Sequence, residues 1–407
     1  MSEGVRKGII KDTMRECFFK VLMASDLYYP HPGGVSEHIH HLTKELRNLG
    51  HDVYILTSRI KDKTFPFEDP PYVIRVGKGI KVPINKSFAS ITFSPLITKR
   101  VKEILEIGNY DIVHVHGSLA PTLPLLTLFY SESLNFATFH AAHSESKGYE
   151  LFKPILQKVF ERIDGCIAVS EVARITISRH FPGEYRIIPN GVDVLRFNPT
   201  NPPLPHLRED GSLNILFVGR FDPRKGLRWL LQAMPYIVKE MSKAKLIVVG
   251  GGPLRKWYEQ FIKDEVKDKI YFAGVVTPEI LPRYYTSADV FVAPATEGES
   301  FGIILLEAMA SGIPIVASRI PGYSHVFEDG REGFFCSPGD PRGIAKKILL
   351  LLKNRELRIK MGKSGRAKVM AKYAWQKVAL EVEDFYREVW HRKRRGLFDE
   401  KVSGGWL

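Results

Sequence analysis

The sequence predicts an α/β chain of two doubly wound, Rossmann-like domains, and three observations carry that prediction. Short β-branched runs alternate with helical patterns along the whole length, the pattern of parallel sheets covered by helices. The alternation breaks once, at NGVDVLRFNPTNPPLPHLREDGS (190–212), whose four prolines and missing apolar period read as a linker. The length of 407 residues exceeds one ordinary core and suits two domains of about 200 residues each.

Taken in order, the strand-like runs of the first half are 18–25, 52–58, 72–76, 111–116, 135–140, 165–170 and 185–189. Those of the second half are 213–219, 244–250, 269–274, 289–294, 313–318 and 333–336. Two helical patterns close the chain, 341–372, with an interruption expected at Gly362 and Gly365, and 375–392. The expected division is a domain over 1–190, a linker over 191–212, a domain over 213–372, a last helix over about 373–392 and a basic tail over 393–407. Two such domains facing one another would set the carboxyl ends of both sheets along one cleft, where open α/β sheets bind ligands.

The bulk numbers narrow the setting. No apolar run reaches the roughly 18 residues of a membrane-crossing helix. The N-terminus has no signal-peptide pattern, and Cys17, Cys166 and Cys336 form no CxxC pair, so reduced thiols in a cytoplasm are expected. The net charge is +14 and unevenly spread: residues 342–377 hold twelve Lys or Arg against one acid, Glu356, and HRKRRG follows at 391–396. A solvated helical face explains such runs, as does contact with anionic lipid at the inner membrane face, with Lys78, Lys81 and Lys86 as a further contact. Nucleic acid is not expected, because stacking aromatics and a recognition motif are missing.

The chemistry concentrates in the second half. GESFGIILLEAMASG (298–312) suggests a helix from about Phe301 to Ser311, capped by Ser300 and stopped by Gly312. Free amides and the positive end of the dipole make its start an anion site. Glu299 beside it can accept from sugar hydroxyls, and Glu307, two turns in, can hold a vicinal diol such as ribose. FVGRFDPRKG (217–226) ends a strand and opens a helix, placing Arg220 and Lys225 where both can meet a phosphate. Fixed cations stabilise the charge that grows on a departing diphosphate. The chain has no Asp-x-Asp for a metal, so cations acting in its place are consistent.

The first half adds weaker signals. Gly33 and Gly34, between a strand and a helix, allow a phosphate to approach the backbone. The turn VGGGP (249–253) and residues Ala273–Val275 suit the nucleotide side. His140 ends a strand at the edge where a ligand should lie, and His114 and His116 share a strand face that also reaches it. His38, His40 and His41 come without a carboxylate or cysteine in a ligand pattern, and no metal site is expected.

GRFDPRKG, ESFGIILLE with its two glutamates, PGGV, TFH and IPNGVD together resemble the retaining GT-B glycosyltransferases of family 4, over about residues 18–392. The resemblance implies sugar transfer from a nucleotide diphosphate donor, with retention and no metal or other cofactor. It implies that Arg220 and Lys225 bind the diphosphate and that Glu299 holds sugar hydroxyls. The amides of Ser300, Phe301 and Gly302 touch sugar and phosphate in the same scheme, Glu307 holds the ribose, and Gly34 lies near the β-phosphate. His140 is placed at the reacting sugar, and the last helix returns to the N-terminal domain. Within the family, GKGIKVPINKS (77–87), FSPLITKRVKEI (93–104) and ATFHAAHS (137–144) look most like phosphatidylinositol α-mannosyltransferases, which implies GDP-mannose and a lipid acceptor. Where those enzymes carry cations for the inositol phosphate, this chain has Ser90, Thr92 and Glu145, with Lys147 two residues on. A carboxylate facing a phosphate is unfavourable, so another lipid-linked or glycan acceptor stays open. So do a UDP-sugar donor with a soluble acceptor, a sugar-nucleotide epimerase of the same fold and a non-catalytic nucleotide-sugar-binding protein.

Overall fold

The computed structural model describes residues 18–31, 33–59, 67–84, 87–93, 96–117, 123–140, 147–208 and 211–403, with the side chains of 80–93, 147–152 and 396–403 left aside. The chain divides into two compact units, residues 1–189 with 378–407, and residues 190–377.

Unit 1 is built on a parallel sheet of seven strands. They are β1 (Lys20–Ser25), β2 (Asp52–Ser58), β3 (Val73–Val76), β6 (Ile112–His116), β7 (Leu134–Phe139), β8 (Gly165–Ala168) and β9 (Arg186–Ile187), in the order β3-β2-β1-β6-β7-β8-β9. The central strands are buried along their lengths, as continuous apolar runs such as Val21–Ala24 require. Helix α1 (Gly34–Asn48) follows β1 and turns Ile39, Leu42 and Leu46 to the core at helical spacing. Helices α2 (Ile97–Gly108), α3 (Leu123–Tyr130), α4 (Lys147–Phe160) and α5 (Glu171–Ser178) complete the cover, the last capped by Ser170 accepting from the Ala173 amide. A two-stranded antiparallel ribbon, β4 (Lys78–Ile84) with β5 (Ser87–Phe93), was not expected from the sequence pattern. Its register sets Lys81 opposite Ser90 and Gly79 opposite Thr92.

Unit 2 repeats the plan with six parallel strands: β10 (Leu213–Val218), β11 (Ala244–Val249), β12 (Ile270–Gly274), β13 (Val290–Ala293), β14 (Ile315–Ser318) and β15 (Gly333–Cys336), ordered β12-β11-β10-β13-β14-β15. Its helices are α6 (Leu227–Glu240), α7 (Arg255–Glu259), α8 (Leu281–Thr286), α9 (Ile303–Ala310), α10 (Pro341–Leu352), α11 (Arg355–Lys372) and the start of α12 (Trp375–Ser403). In both sheets the order reverses beside the first strand, and ligands of doubly wound sheets sit outside the carboxyl ends of the strands at that reversal.

Four expectations need correction. The segment 191–212 is no free linker but part of unit 2: Val192 bridges to Ala374, the Arg196 guanidinium donates to Pro278 O, and Phe197, Leu204 and Leu207 are buried. The pattern over 341–372 breaks at Lys353–Asn354, because Asn354 caps α11 by accepting from the Leu357 amide, while Gly362 and Gly365 sit inside that helix. The last helix runs to Ser403 instead of ending near 392, so a tail beginning at 393 is replaced by helix. Helix α9 begins at Ile303, with Gly302 in the left-handed region at its N-cap and no cap bond from Ser300.

The last helix starts in unit 2 and joins unit 1 from Val378 on. Phe385 and Tyr386 pack on Phe136 of β7, and Lys393 pairs with Asp164. No helix among the described residues is long and apolar enough to cross a membrane.

Candidate functional site

The loops that leave β10 and β13 flank the strand-order reversal of unit 2, and Arg220, Lys225, Glu299, Ser300, Phe301 and Gly302 lie on them. After β10 the chain makes a short 3-10 turn, Pro223–Lys225, capped by the Asp222 carboxylate accepting from the Arg224 amide. The same carboxylate holds the Arg224 guanidinium, with Nη2 donating to Oδ2 at 2.7 Å, and Asp222 stays below the usual carboxylate range. Burial opposes that shift, but the hydrogen bonds and charge of Arg224 outweigh it. Gly226 closes the turn at φ +73°, and a Cβ there would lie 1.8 Å from Pro294 O. A glycine thus lets the β10 loop lie directly against the β13 loop. Thr296 N donates to Arg224 O across the same seam.

This contact brings together residues more than seventy positions apart. Lys225 Nζ lies 2.6 Å from Glu299 Oε1, and both side chains are largely screened from solvent. Arg220 stands exposed at the end of β10. Glu307 is buried in the second turn of α9, where its Oε2 accepts from Tyr285 OH at 2.7 Å. Burial, then the charge of Glu307, drives the Tyr285 hydroxyl far above its usual range, so it is a lasting donor. Phe301 and Gly302 are buried, and Ser300 is half-buried. Tyr323, whose hydroxyl is also pushed up by burial and by Glu299, packs under Gly302. Val275, beyond β12, is exposed beside Gly251.

Sequence reasoning missed Tyr285, Tyr323 and the Asp222–Arg224 clasp. The clasp had a signal, Asp222 two residues before Arg224 in FDPRKG. The tyrosines had none, because nothing local ties them to Glu299 or Glu307.

In unit 1, Gly33 caps α1, and Gly34 opens it, both exposed at the carboxyl edge of β1. Among the described residues, no atom beyond its chain neighbours lies within 4 Å of where a Gly33 Cβ would stand, so the backbone is open to approach. His140 follows β7 by one residue and His116 ends β6; their rings meet at Nδ1 of His116 and Nε2 of His140, 3.4 Å apart. Burial above all, then neighbouring imidazoles, holds both well below the ordinary histidine pKa, so both are neutral near pH 7. His114 does not reach this edge. It is fully buried, bonded through Nδ1 to Tyr386 OH at 2.5 Å and through Nε2 to Thr138 Oγ1 at 2.7 Å, and burial lowers it to about 3. Of the triplet on α1, His41 pairs with Glu37 and His40 with Tyr28 OH, while His38 turns to His116 and His140. Glu145, Lys86 and Cys17 lie outside the described residues.

Two Rossmann-like units, the second with a cation–carboxylate pair at its switch point, define a glycosyltransferase of the GT-B fold. The profile of glycosyl transferases group 1 matches residues 205–368, and that of glycosyltransferase family 4 matches residues 32–196. The chain is 35% identical over 361 residues to the phosphatidyl-myo-inositol mannosyltransferase of Mycobacterium leprae, covering 88% of this chain and 94% of that one. It is 29% identical to the GDP-mannose-dependent alpha-(1-6)-phosphatidylinositol monomannoside mannosyltransferase of Mycobacterium tuberculosis, over 72% and 80% of the two chains. Among solved structures, sucrose-phosphate synthase from Thermosynechococcus elongatus shares the fold at a TM-score of 0.70 and 22% identity, over 92% of this chain and all of that one. The chain belongs to glycosyltransferase family 4.

Proposed function

We propose that the chain transfers a mannosyl group from GDP-mannose to an inositol-phospholipid acceptor, with retention of configuration and without a metal ion. The observation that carries the donor chemistry is the Lys225–Glu299 pair at the switch point of unit 2. Mannose and the lipid acceptor are supported by the names of the two mannosyltransferases that resemble the chain. The C1–oxygen bond to the diphosphate breaks as the acceptor oxygen bonds to C1 on the same face. The acceptor proton passes to an oxygen of the departing diphosphate. Arg220 and Lys225 meet the negative charge that grows there, Glu299 takes sugar hydroxyls, the amides of Ser300–Gly302 hold sugar and phosphate, and Glu307 takes the ribose. For unit 1, His140→Ala tests the assignment to the reacting sugar.

The experiment is a donor panel with EDTA present: GDP-mannose, UDP-glucose, UDP-N-acetylglucosamine and ADP-glucose, each with phosphatidylinositol, other lipids, a soluble sugar or no acceptor. GDP release that needs both GDP-mannose and phosphatidylinositol is the expected result. Release from a UDP-sugar overturns the donor, and release with another lipid or a soluble sugar overturns the acceptor. Epimer formed without acceptor replaces transfer altogether.

Peripheral binding at an anionic membrane completes the reading. On α11, Ile359, Lys363 and Met370 share one face at spacings of four and seven, and Ile359 and Met370 are 46% and 44% exposed. Exposed apolar residues among lysines are how an interfacial helix presents itself. Other cations of the two basic runs have internal work: Arg366 donates to Val194 O, Phe197 O and Ala310 O, Arg358 to Leu351 O and Leu352 O, and Arg392 to Asp164 O. Sedimentation with anionic vesicles is expected at low salt, falling with added salt and in Lys360→Glu/Lys363→Glu. No sedimentation at low salt removes the membrane from the proposal.

A further inference from the structure

Two buried tyrosines lie beneath the segment that carries Glu299 and Glu307, and their hydroxyls differ. Tyr285, on α8, donates to Glu307 Oε2 at 2.7 Å. Tyr323, in the loop after β14, is fully buried, and its hydroxyl has no hydrogen-bond partner among the described residues. A buried hydroxyl without a partner is costly, and phenylalanine would fill the same space without that cost. The free chain therefore carries an oxygen that it does not use.

The loop that carries Tyr323 is built against Glu299. Strand β14 lies beside β13, so the loops leaving the two strands are neighbours. A Cβ on Gly322 would stand 2.0 Å from Glu299 O and 3.3 Å from Glu299 Cβ. A Cβ on Gly302 would stand 2.5 Å from Tyr323 Cε1. Glycine at both positions lets the ring lie directly under the segment Glu299–Gly302. After burial, the charge of Glu299 is what pushes the Tyr323 hydroxyl up, so the two side chains feel one another although no bond joins them. In the free chain Glu299 is turned elsewhere, with its Oε1 2.6 Å from Lys225 Nζ.

We propose that Tyr323 is a positioning residue for Glu299, its hydroxyl bonding the carboxylate once the donor diphosphate has drawn Lys225 away. The inference rests on the reading that gives Lys225 to the diphosphate and Glu299 to the sugar. When Lys225 turns to a phosphate, Glu299 loses its cation and becomes a largely screened charge in need of a donor. A carboxylate has about four acceptor sites on its two oxygens, so one oxygen can take the tyrosine while the other stays open to sugar hydroxyls. The same exchange gives Tyr323 the partner that it lacks. No proton is transferred, because burial keeps the hydroxyl protonated.

The test measures binding of GDP and of UDP to the full-length chain by calorimetry, in the wild type, Tyr323→Phe, Glu299→Gln and the double variant. These probes carry the diphosphate without a sugar, so neither the transferred sugar nor the acceptor enters the result. Tyr323→Phe is expected to weaken the diphosphate that binds the wild type by about tenfold or more, the worth of one hydrogen bond to a charged group. In the Glu299→Gln background, where no charge needs holding, the same substitution should change binding by less than about twofold. The free Tyr323→Phe chain should melt no lower than the wild type, because the lost hydroxyl had no partner. Equal affinity in the wild type and Tyr323→Phe overturns the inference, as does an equal loss in both Glu299 backgrounds or a free variant that melts clearly lower. Lys225→Ala separates this failure from that of the donor site. Weakened binding in Lys225→Ala beside unchanged binding in Tyr323→Phe removes only the role of the hydroxyl. A wild type that binds neither diphosphate, or undiminished binding in Lys225→Ala, removes the donor site and this inference with it.

Discussion

At the scale of single residues, the donor assignment rests on how few groups are free to move. Glu299 faces Lys225 at 2.6 Å, and the turn that presents Lys225 is clasped by Asp222 and closed by Gly226. A cation held in place before the reaction stabilises developing charge without reorganising, which is why it favours the transition state over the bound substrate. Lys225→Ala and Glu299→Ala are each expected to lower kcat by about a hundred- to a thousandfold, the range seen when one fixed stabilising donor is removed. The fold should survive, because neither residue contributes to the apolar core. Steady-state kinetics with GDP-mannose and a melting curve read both quantities. Near-normal kcat in both variants removes these two residues from the site.

At the scale of elements, the strands were legible because parallel sheets covered on both faces demand continuous β-branched runs, and Ile215–Val218 or Val290–Ala293 can be little else. The Lys225 and Glu299 motifs were legible for a related reason: each closes a strand that the pattern had already located. What escaped was tertiary. Gly362 and Gly365 read as helix breakers, yet α11 passes so close to the end of α9 that a Cβ on Gly362 would stand 1.9 Å from Gly312 O, and one on Gly365 would stand 3.0 Å from the Met309 side chain. Glycine there serves the approach of two elements, which no local pattern encodes. The start of α9 was misplaced by two residues because Ser300 has the chemistry of a cap but not its position. The contact of His38 with His116 and His140 escaped because α1 shares no sequence window with the two strand ends. Gly362→Ala tests the packing argument, since propensity and packing pull in opposite directions. Propensity alone favours alanine by about 0.5–1 kcal/mol. The obstructing atom is backbone, so the substitution is expected to destabilise unit 2 by about 1–3 kcal/mol, the usual cost of overpacking. A fall in the denaturant midpoint supports this, and a rise refutes it.

At the scale of the whole molecule, the last helix belongs to two units by sequence and serves unit 1 from Val378 on, and its contacts there give the chain a pH dependence. His51 is buried beneath that helix. Its Nδ1 accepts from the Phe19 amide at 3.0 Å, and its Nε2 lies 3.2 Å from Glu383 Oε1. Burial lowers its pKa, and Arg387 adds to the lowering; the Glu383 carboxylate pulls the other way and does not win. The folded chain therefore carries a neutral His51 at pH values where the unfolded chain, titrating near 6.5, has taken up a proton. Unfolding then binds protons, so the contribution to stability is complete above about pH 6.5 and is lost as the pH falls through the folded pKa. In that window a single such group changes stability by at most about 1.4 kcal/mol per pH unit. His51→Gln keeps an amide in the place of the ring and removes the titration. Denaturant midpoints taken between about pH 7 and pH 5 should fall less steeply for this variant than for the wild type, by up to one proton in the linkage slope. Equal slopes would mean that the Glu383 carboxylate offsets burial and leaves the ring with the same proton affinity folded and unfolded, and a steeper fall in the variant would mean that the carboxylate wins and that the last helix holds a charged histidine against unit 1.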